Sequence, residues 1–239
     1  PLRPGYLYVR RPMPRRPRIG ICAYCTNTAE ITSDHVPPKS IFPPHVRDNL
    51  ITVPACRRCH DTFKLDDEYF RITLSIRHDL PPGAEAQFLR DQTKRTLRSQ
   101  DANGLKKMLG RSISEHPVQT PAGIHLGKAL ALRVDASRVI RTCERIVRGL
   151  FWKMFDEALP TTHEPAAVLM DLQKDGSAMN HPDVLEAVTV LLQTGLHRSF
   201  PKVLEFWCSQ IEDDPHSSFW LVRIHGAFTF VGYTTPKDA

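Results

Sequence analysis

The clearest pattern along this chain is an apolar stripe between Ser137 and Leu159. Val139, Ile140, Cys143, Ile146, Val147, Leu150, Phe151 and Met154 recur at helical steps. That period places them on one face, so Ser137–Leu159 is predicted as an amphipathic helix, with Arg138, Arg141, Arg145 and Arg148 off the stripe. Tyr69, Phe70, Ile72 and Leu74 predict a helix over Asp66–Ile76. Pro81-Pro82-Gly83 interrupts the pattern, and Ala84–Leu109 is predicted as the next helix, carrying Arg90, Lys94, Arg95, Arg98, Lys106 and Lys107. The last third changes character. Ala166–Leu172, Val203–Cys208 and Phe219–Ile224 are predicted as strands and Asp183–Leu196 as a helix. His225-Gly226 is a turn candidate leading into Phe228–Tyr233, which makes a hairpin. There are no internal repeats.

Composition and charge sharpen this outline. A chain of 239 residues, 41% of them hydrophobic, has room for one or two domains with a real core. The net charge of +6 is uneven. Residues 1–20 hold six arginines (Arg3, Arg10, Arg11, Arg15, Arg16 and Arg18) and no acid, in a Pro-rich context that reads as a flexible arm. Residues 21–70 carry 5 basic against 7 acidic side chains, 71–160 carry 16 against 9, and 161–239 carry 5 against 10. Affinity for a nucleic-acid backbone comes mainly from neutralised phosphates. Any such grip is therefore expected from the arm and the middle segment, where the arginines off the Ser137–Leu159 stripe could line a groove. The chain shows no secretory h-region and no apolar run long enough to span a bilayer, which predicts a cytoplasmic setting and no membrane partner.

The chemistry concentrates in one stretch. Cys22-x-x-Cys25 is followed by Asp34-His35, Asn49 and Cys56-x-x-Cys59-His60. A two-residue gap lets both sulfurs of a CxxC face one point, and two such pairs supply the four thiolates of a tetrahedral zinc site. In a reducing compartment that reading is preferred over disulfides. Cys143 and Cys208 sit in apolar stretches and read as core filler. Asp34, His35, Asn49 and His60 lie between and beside the knuckles, and this set can bind a second metal and activate a water.

These residues carry a family resemblance. Thr32-Ser33-Asp34-His35-Val36-Pro37-Pro38, then Asp48-Asn49-Leu50, then Cys56-Arg57-Arg58-Cys59-His60 stand in the order found in the HNH endonucleases. The segment from Cys22 to about Phe70 resembles that family, the ββα-metal nucleases on a zinc-binding scaffold. The resemblance implies a ββα module in which His35 is the general base. It implies that Asn49 orients the His35 ring, and that Asp34 and His60 hold a catalytic Mg²⁺ or Mn²⁺. Cys22, Cys25, Cys56 and Cys59 would hold a structural Zn²⁺. Its implied substrate is DNA, double-stranded, cut to a 5′-phosphate and a 3′-hydroxyl. One departure is the stiff, proline-rich run from Pro37 to Pro44 where many of these nucleases have a glycine-rich loop.

Further charged residues surround this core. Lys64 shares a helix face with His60 and is a candidate phosphate contact, with Arg57 and Arg58 near the helix start. Asp61, Asp66, Asp67 and Glu68 read as a solvated face, and His45 as an exposed loop residue. The expected organisation is a basic arm at 1–20, the zinc and ββα-metal module at 21–76, a mainly helical basic segment at 77–160 and an acidic α+β region at 161–239. The last is open to three readings: a packing platform, a homodimer interface or a partner sensor. The fold class is α+β, and the leading function is a metal-dependent DNA endonuclease. The alternative is a zinc-ribbon module that binds nucleic acid or protein without cutting it.

Overall fold

The computed structural model describes residues 18–120, 122–170, 182–200 and 202–237. Apart from its last residues, the basic arm lies outside that range.

The chain begins with a small sheet. Strands β1 (Ile19–Ile21), β2 (Thr28–His35) and β3 (Thr52–Cys56) pair antiparallel in that order, and helix α1 (Arg57–Ser75) leaves directly from β3. A tight turn joins β1 to β2: the Thr26 N–H donates to Cys22 O at 2.9 Å and the Cys22 N–H to Asn27 O at 3.0 Å. The β2–β3 register sets Asp34 opposite Val53 and His35 opposite Thr52. Only the second half of α1, from Tyr69 to Ser75, is continuously buried. Its first half is left at the surface beside the sheet.

Helices α2 (Ala84–Arg98) and α3 (Asn103–Ser112) follow, then a two-stranded hairpin of β4 (Ile113–Gln119) and β5 (His125–Leu132). Arg71 of α1 is buried, and its guanidinium donates to Thr93 Oγ1 at 3.0 Å and Thr96 Oγ1 at 2.8 Å, which ties α1 to α2.

Helix α4 (Ala136–Phe155) is the centre of the molecule. Asp135 caps it by accepting from the Arg138 N–H; of the predicted stripe Val139, Cys143, Ile146, Val147, Leu150 and Phe151 are closed to solvent and Ile140 and Met154 half-buried, and the helix ends at Phe155, short of Leu159. Side chains of this size stabilise by roughly 1.5–3 kcal/mol each when fully buried. On one side α4 packs on α1. On the other it packs on a five-stranded antiparallel sheet. That sheet runs β6 (His163–Met170), β10 (Phe228–Pro236), β9 (Asp214–Ile224), β8 (Leu204–Ile211) and β7 (Leu196–Phe200) in spatial order. Two glycines permit this seating: a Cβ on Gly149 would lie 2.6 Å from Val36 Cγ2, and one on Gly232 would lie 2.3 Å from Val147 Cγ2. The helix thus touches the residue after His35 and the middle of the sheet.

The sheet alternates as a two-sided strand should. Trp220, Val222 and Ile224 of β9 face the main core, while Leu221 joins Val188, Leu191 and Val231 beneath helix α5 (Pro182–Thr194) on the other face. Among the described residues no helix is long and apolar enough to cross a membrane.

The α+β class holds, and several element boundaries change. The Ala84–Leu109 helix is two helices, broken where Ser99 turns extended and a 3-10 turn, Gln100–Ala102, follows. The β4–β5 hairpin had no predicted counterpart. Its side chains are almost all exposed, including Ile124, Leu126 and Leu130, so no buried face imposed alternation on the sequence. Leu196 belongs to the edge strand β7 and not to the helix before it. The corner between them is Gly195, where a Cβ would lie 2.5 Å from Leu191 O. Leu172, the predicted end of β6, lies outside the described residues.

Candidate active site

The four knuckle cysteines come together. Cys22 and Cys25 sit in the β1–β2 turn, while Cys56 ends β3 and Cys59 lies in the first turn of α1. One sulfur from each lies within 4.8 Å of the others. The Cys25 and Cys56 sulfurs are 3.8 Å apart, far beyond a disulfide bond. Four bonds of ~2.3 Å to one tetrahedral ion would separate neighbouring sulfurs by about 3.8 Å, so the donor set and its spacing fit zinc. The backbone N–H of Cys59 pulls the Cys56 thiol down to about 7, while burial pushes the Cys25 thiol up. Arg148 of α4 reaches this corner, donating to Tyr24 O at 3.3 Å. Burial lowers its own pKa, and negative charge on Cys22, Cys25 and Cys59 acts the other way. An arginine beside a tetrathiolate offsets the excess negative charge of the closed site.

Beside the cysteines lies an open cleft of about 370 Å³ whose lining includes Asp34, His35, Lys39, His60, Lys64 and Asp67. Asp34 and His35 stand at the end of β2, and His60 follows Cys59 on α1. Asp34 is buried and its two oxygens are used differently. Oδ2 accepts from the Tyr24 hydroxyl at 2.7 Å and lies 4.0 Å from the Arg145 guanidinium. Oδ1 accepts the His35 backbone N–H at 3.0 Å and faces His60 Nε2 at 4.0 Å. Tyr24 and Arg145 therefore hold the carboxylate from behind and leave Oδ1 toward the cleft. Burial, with Asp34 beside it, raises the Tyr24 phenol well above its ordinary value, so it stays a donor.

His35 is half-buried, and among the described residues no hydrogen bond reaches its ring. Burial first, then the nearby Lys39 charge, lowers its pKa, which favours the neutral ring. A neutral imidazole with a free nitrogen in an open cleft can accept a proton.

The surroundings revise two expectations. The arginines off the α4 stripe do not form a free basic face. Arg138 donates to Asp66 at 2.7 Å and lies over the Tyr69 ring, while Arg141 reaches the same carboxylate at 3.2 Å. Arg145 is buried, pairs closely with Asp67 and covers the Phe63 ring. Asp66 and Asp67 are correspondingly not a solvated face; they are the partners through which α1 receives α4. Burial pushes the Asp67 carboxyl up to about 6 against the pull of Arg145, so it remains mostly ionised at neutral pH. Tyr24 was not singled out from sequence, although it lies inside the first CxxC, while Arg145 and Asp67 were read as outward-facing charges and not as partners of each other.

The structure brings Asp34, His35 and His60 together with Lys64, which is bonded to Asp61 at 2.6 Å. Arg57 and Arg58 are exposed at the start of α1. Asn49 is not brought into the cleft. It occupies a turn with a left-handed φ of 63°, is exposed, and borders a separate depression with Lys153 and Arg198. No hydrogen bond joins it to His35 among the described residues. His45 is exposed, as expected, 3.8 Å from Glu85.

Residues 22–63 match the family model described as HNH endonuclease, so the knuckles, β2, β3 and the start of α1 form an HNH module. Neither a curated protein nor a solved structure matches the chain.

Proposed function

We propose that this protein is a metal-dependent HNH endonuclease that hydrolyses DNA phosphodiester bonds, with His35 as general base and Asp34 and His60 as the protein ligands of one Mg²⁺ or Mn²⁺. Zn²⁺ in the four cysteines is the scaffold. The observation that carries the reading is the geometry at the end of β2: Asp34 Oδ1 stands 4.0 Å from His60 Nε2, with the unpartnered His35 ring in the same cleft.

The donor pair suits such an ion. At bonds of ~2.1 Å, two donors on one octahedral ion stand between about 3.0 and 4.2 Å apart, and Mg²⁺ keeps several waters beside few protein ligands. When bound, the ion supplies positive charge for the phosphate and the leaving oxygen. His35 takes the proton of a water positioned in the cleft, and the depressed basicity of its ring keeps it in the accepting form near neutral pH. Tyr24 and Arg145 keep Asp34 Oδ1 aimed at His60. Lys39 and Lys64 border the cleft where a phosphodiester would lie, and Arg57 and Arg58 extend this positive edge along the start of α1. Asn49, which the resemblance would have orient the His35 ring, borders a different depression, and its turn starts the approach to β3.

The test is nicking of supercoiled plasmid DNA in Mg²⁺ or Mn²⁺ by the wild type and by His35→Ala. The expected result is cleavage by the wild type and a fall of about 10²–10⁴-fold in the variant, with folding and zinc content unchanged. Equal cleavage by both would remove His35 as the base. Salt-sensitive DNA binding without cleavage by either would favour the non-catalytic zinc module.

A further inference from the structure

A second constellation of metal-ligating side chains lies on the C-terminal sheet, apart from the cleft and the cysteines. His163 opens β6, and Asp214 and His216 stand at the start of β9. One ligand atom from each lies within 4.8 Å of the others. β10 runs between these strands in the sheet, so the three residues meet across its end.

The cluster is built, with each member held from outside. His163 is buried, its Nε2 lies 2.8 Å from Asp214 Oδ2 and its Nδ1 lies 3.0 Å from Thr162 Oγ1. Asp214 also accepts from Ser217 Oγ at 2.5 Å and from the His216 N–H at 3.0 Å. His216 Nε2 stands 3.2 Å from Glu157 Oε1, just beyond α4. Each imidazole thus has an oxygen partner, as metal-binding histidines usually do.

We propose that His163, Asp214 and His216 form a second metal site, one that takes a divalent first-row transition ion, with Zn²⁺ foremost. Two imidazoles and a carboxylate are borderline ligands that suit such ions, and three protein ligands with water in the remaining position make a recognised zinc arrangement. A tetrahedral ion with bonds of ~2.0–2.1 Å needs its ligands about 3.3 Å apart, so the wider pairs close in by about 1.5 Å at most while His163 Nε2 and Asp214 Oδ2, at 2.8 Å, open slightly. Without an ion, His163 Nε2–H donates to Asp214 and Nδ1 accepts from the Thr162 hydroxyl. The hydroxyl can reverse its role. With an ion bound, Nδ1–H would donate to Thr162 Oγ1 and leave the bare Nε2 to the metal.

Such an ion would join β6 and β9 close to the end of α4. Arg148 of α4 donates to both His163 O and Tyr24 O, at 3.4 and 3.3 Å, so one side chain links this corner with the cysteine knuckle. The acidic C-terminal region would then carry a metal staple of its own.

The experiment uses the full chain carrying Asp34→Ala and His60→Ala, so that the cleft contributes no ion. The protein is equilibrated with buffered micromolar Zn²⁺ and its metal content is measured. The expected content is two zinc ions per chain, one for each described cluster, falling to one on adding His216→Ala. Zinc should also raise the melting temperature of the parent more than that of the His216→Ala protein. One zinc per chain in both, or two in both, overturns the proposal. Should His216→Ala fail to fold, Co²⁺ titration of the parent decides. A second equivalent that adds a visible band without thiolate charge transfer supports the site, and a single thiolate-bound equivalent overturns it.

Discussion

The cysteine cluster and the cleft lie side by side on one ββα module and would treat a metal in opposite ways. The cysteines come from both sides of the small sheet and close on one point, with Arg148 behind them to balance the charge. Asp34 and His60 face each other at 4.0 Å and leave the remaining directions to solvent, with the His35 ring alongside. A closed set of protein ligands makes a scaffold, and an open set leaves room for water and substrate. The two are joined at short range. Cys59 and His60 are neighbours on α1, and Tyr24, between the first two cysteines, hydrogen-bonds Asp34 at 2.7 Å. The cysteine cluster therefore places both His60 beside it and the tyrosine that holds Asp34.

That relation can be broken at either end. The largest effect is expected from Cys56→Ala. A small module depends on its metal for folding. The variant should lose the cysteine-bound zinc, the cooperative melting of the module and all cleavage, read by metal analysis and circular dichroism. A folded, metal-free variant would show that the cysteines are not a scaffold. Tyr24→Phe sharpens the link between the two sites. It keeps the knuckle and removes one charge-assisted hydrogen bond, at a cost of about 1.5–3 kcal/mol. The concentration of Mg²⁺ or Mn²⁺ giving half-maximal cleavage should rise about 10–100-fold, with zinc content unaltered. An unchanged metal requirement would mean that Arg145 alone orients Asp34.

The smallest expected effect concerns the hold of the C-terminal sheet on the module. His225 Nε2–H donates to Ile41 O at 3.0 Å in a buried contact, and burial lowers the His225 pKa. Below the unfolded value of ~6.5 the unfolded chain takes up a proton that the folded chain resists, so stability is retained above that pH and declines as pH falls below it. His225→Asn, which tolerates the left-handed φ of 50° at this turn, should flatten the fall in melting temperature between neutral and mildly acidic pH. An identical slope in both proteins would remove His225 as the cause.

How much of this was readable from sequence depends on how local each feature is. The two CxxC pairs and the order of Asp34, His35 and His60 are written in short spacings, and α4 is written in a period that a single buried face imposes. The second half of β9 was likewise legible, as the strand Phe219–Ile224. What escaped was set by partners distant in the chain. Arg145 looks like a surface charge until α1 supplies Asp67, and Asp67 looks solvated until α4 supplies Arg145. Tyr24 sat within the motif, but its meeting with Asp34 depends on how the first turn folds against β2. The exposed β4–β5 hairpin left no periodic signal because neither face is buried. Asn49 was placed by its position in the motif, and the left-handed turn carries it to a different depression.

The central claim is that the open cleft, and not the cysteine cluster, carries the reaction through a loosely held ion. It is tested most directly by following plasmid nicking and zinc content together during brief chelation and metal replacement. The account predicts that EDTA stops nicking while the cysteine-bound zinc stays in place, and that Mg²⁺ or Mn²⁺ restores it. Nicking that survives chelation, or that returns only when zinc is added back, would contradict it.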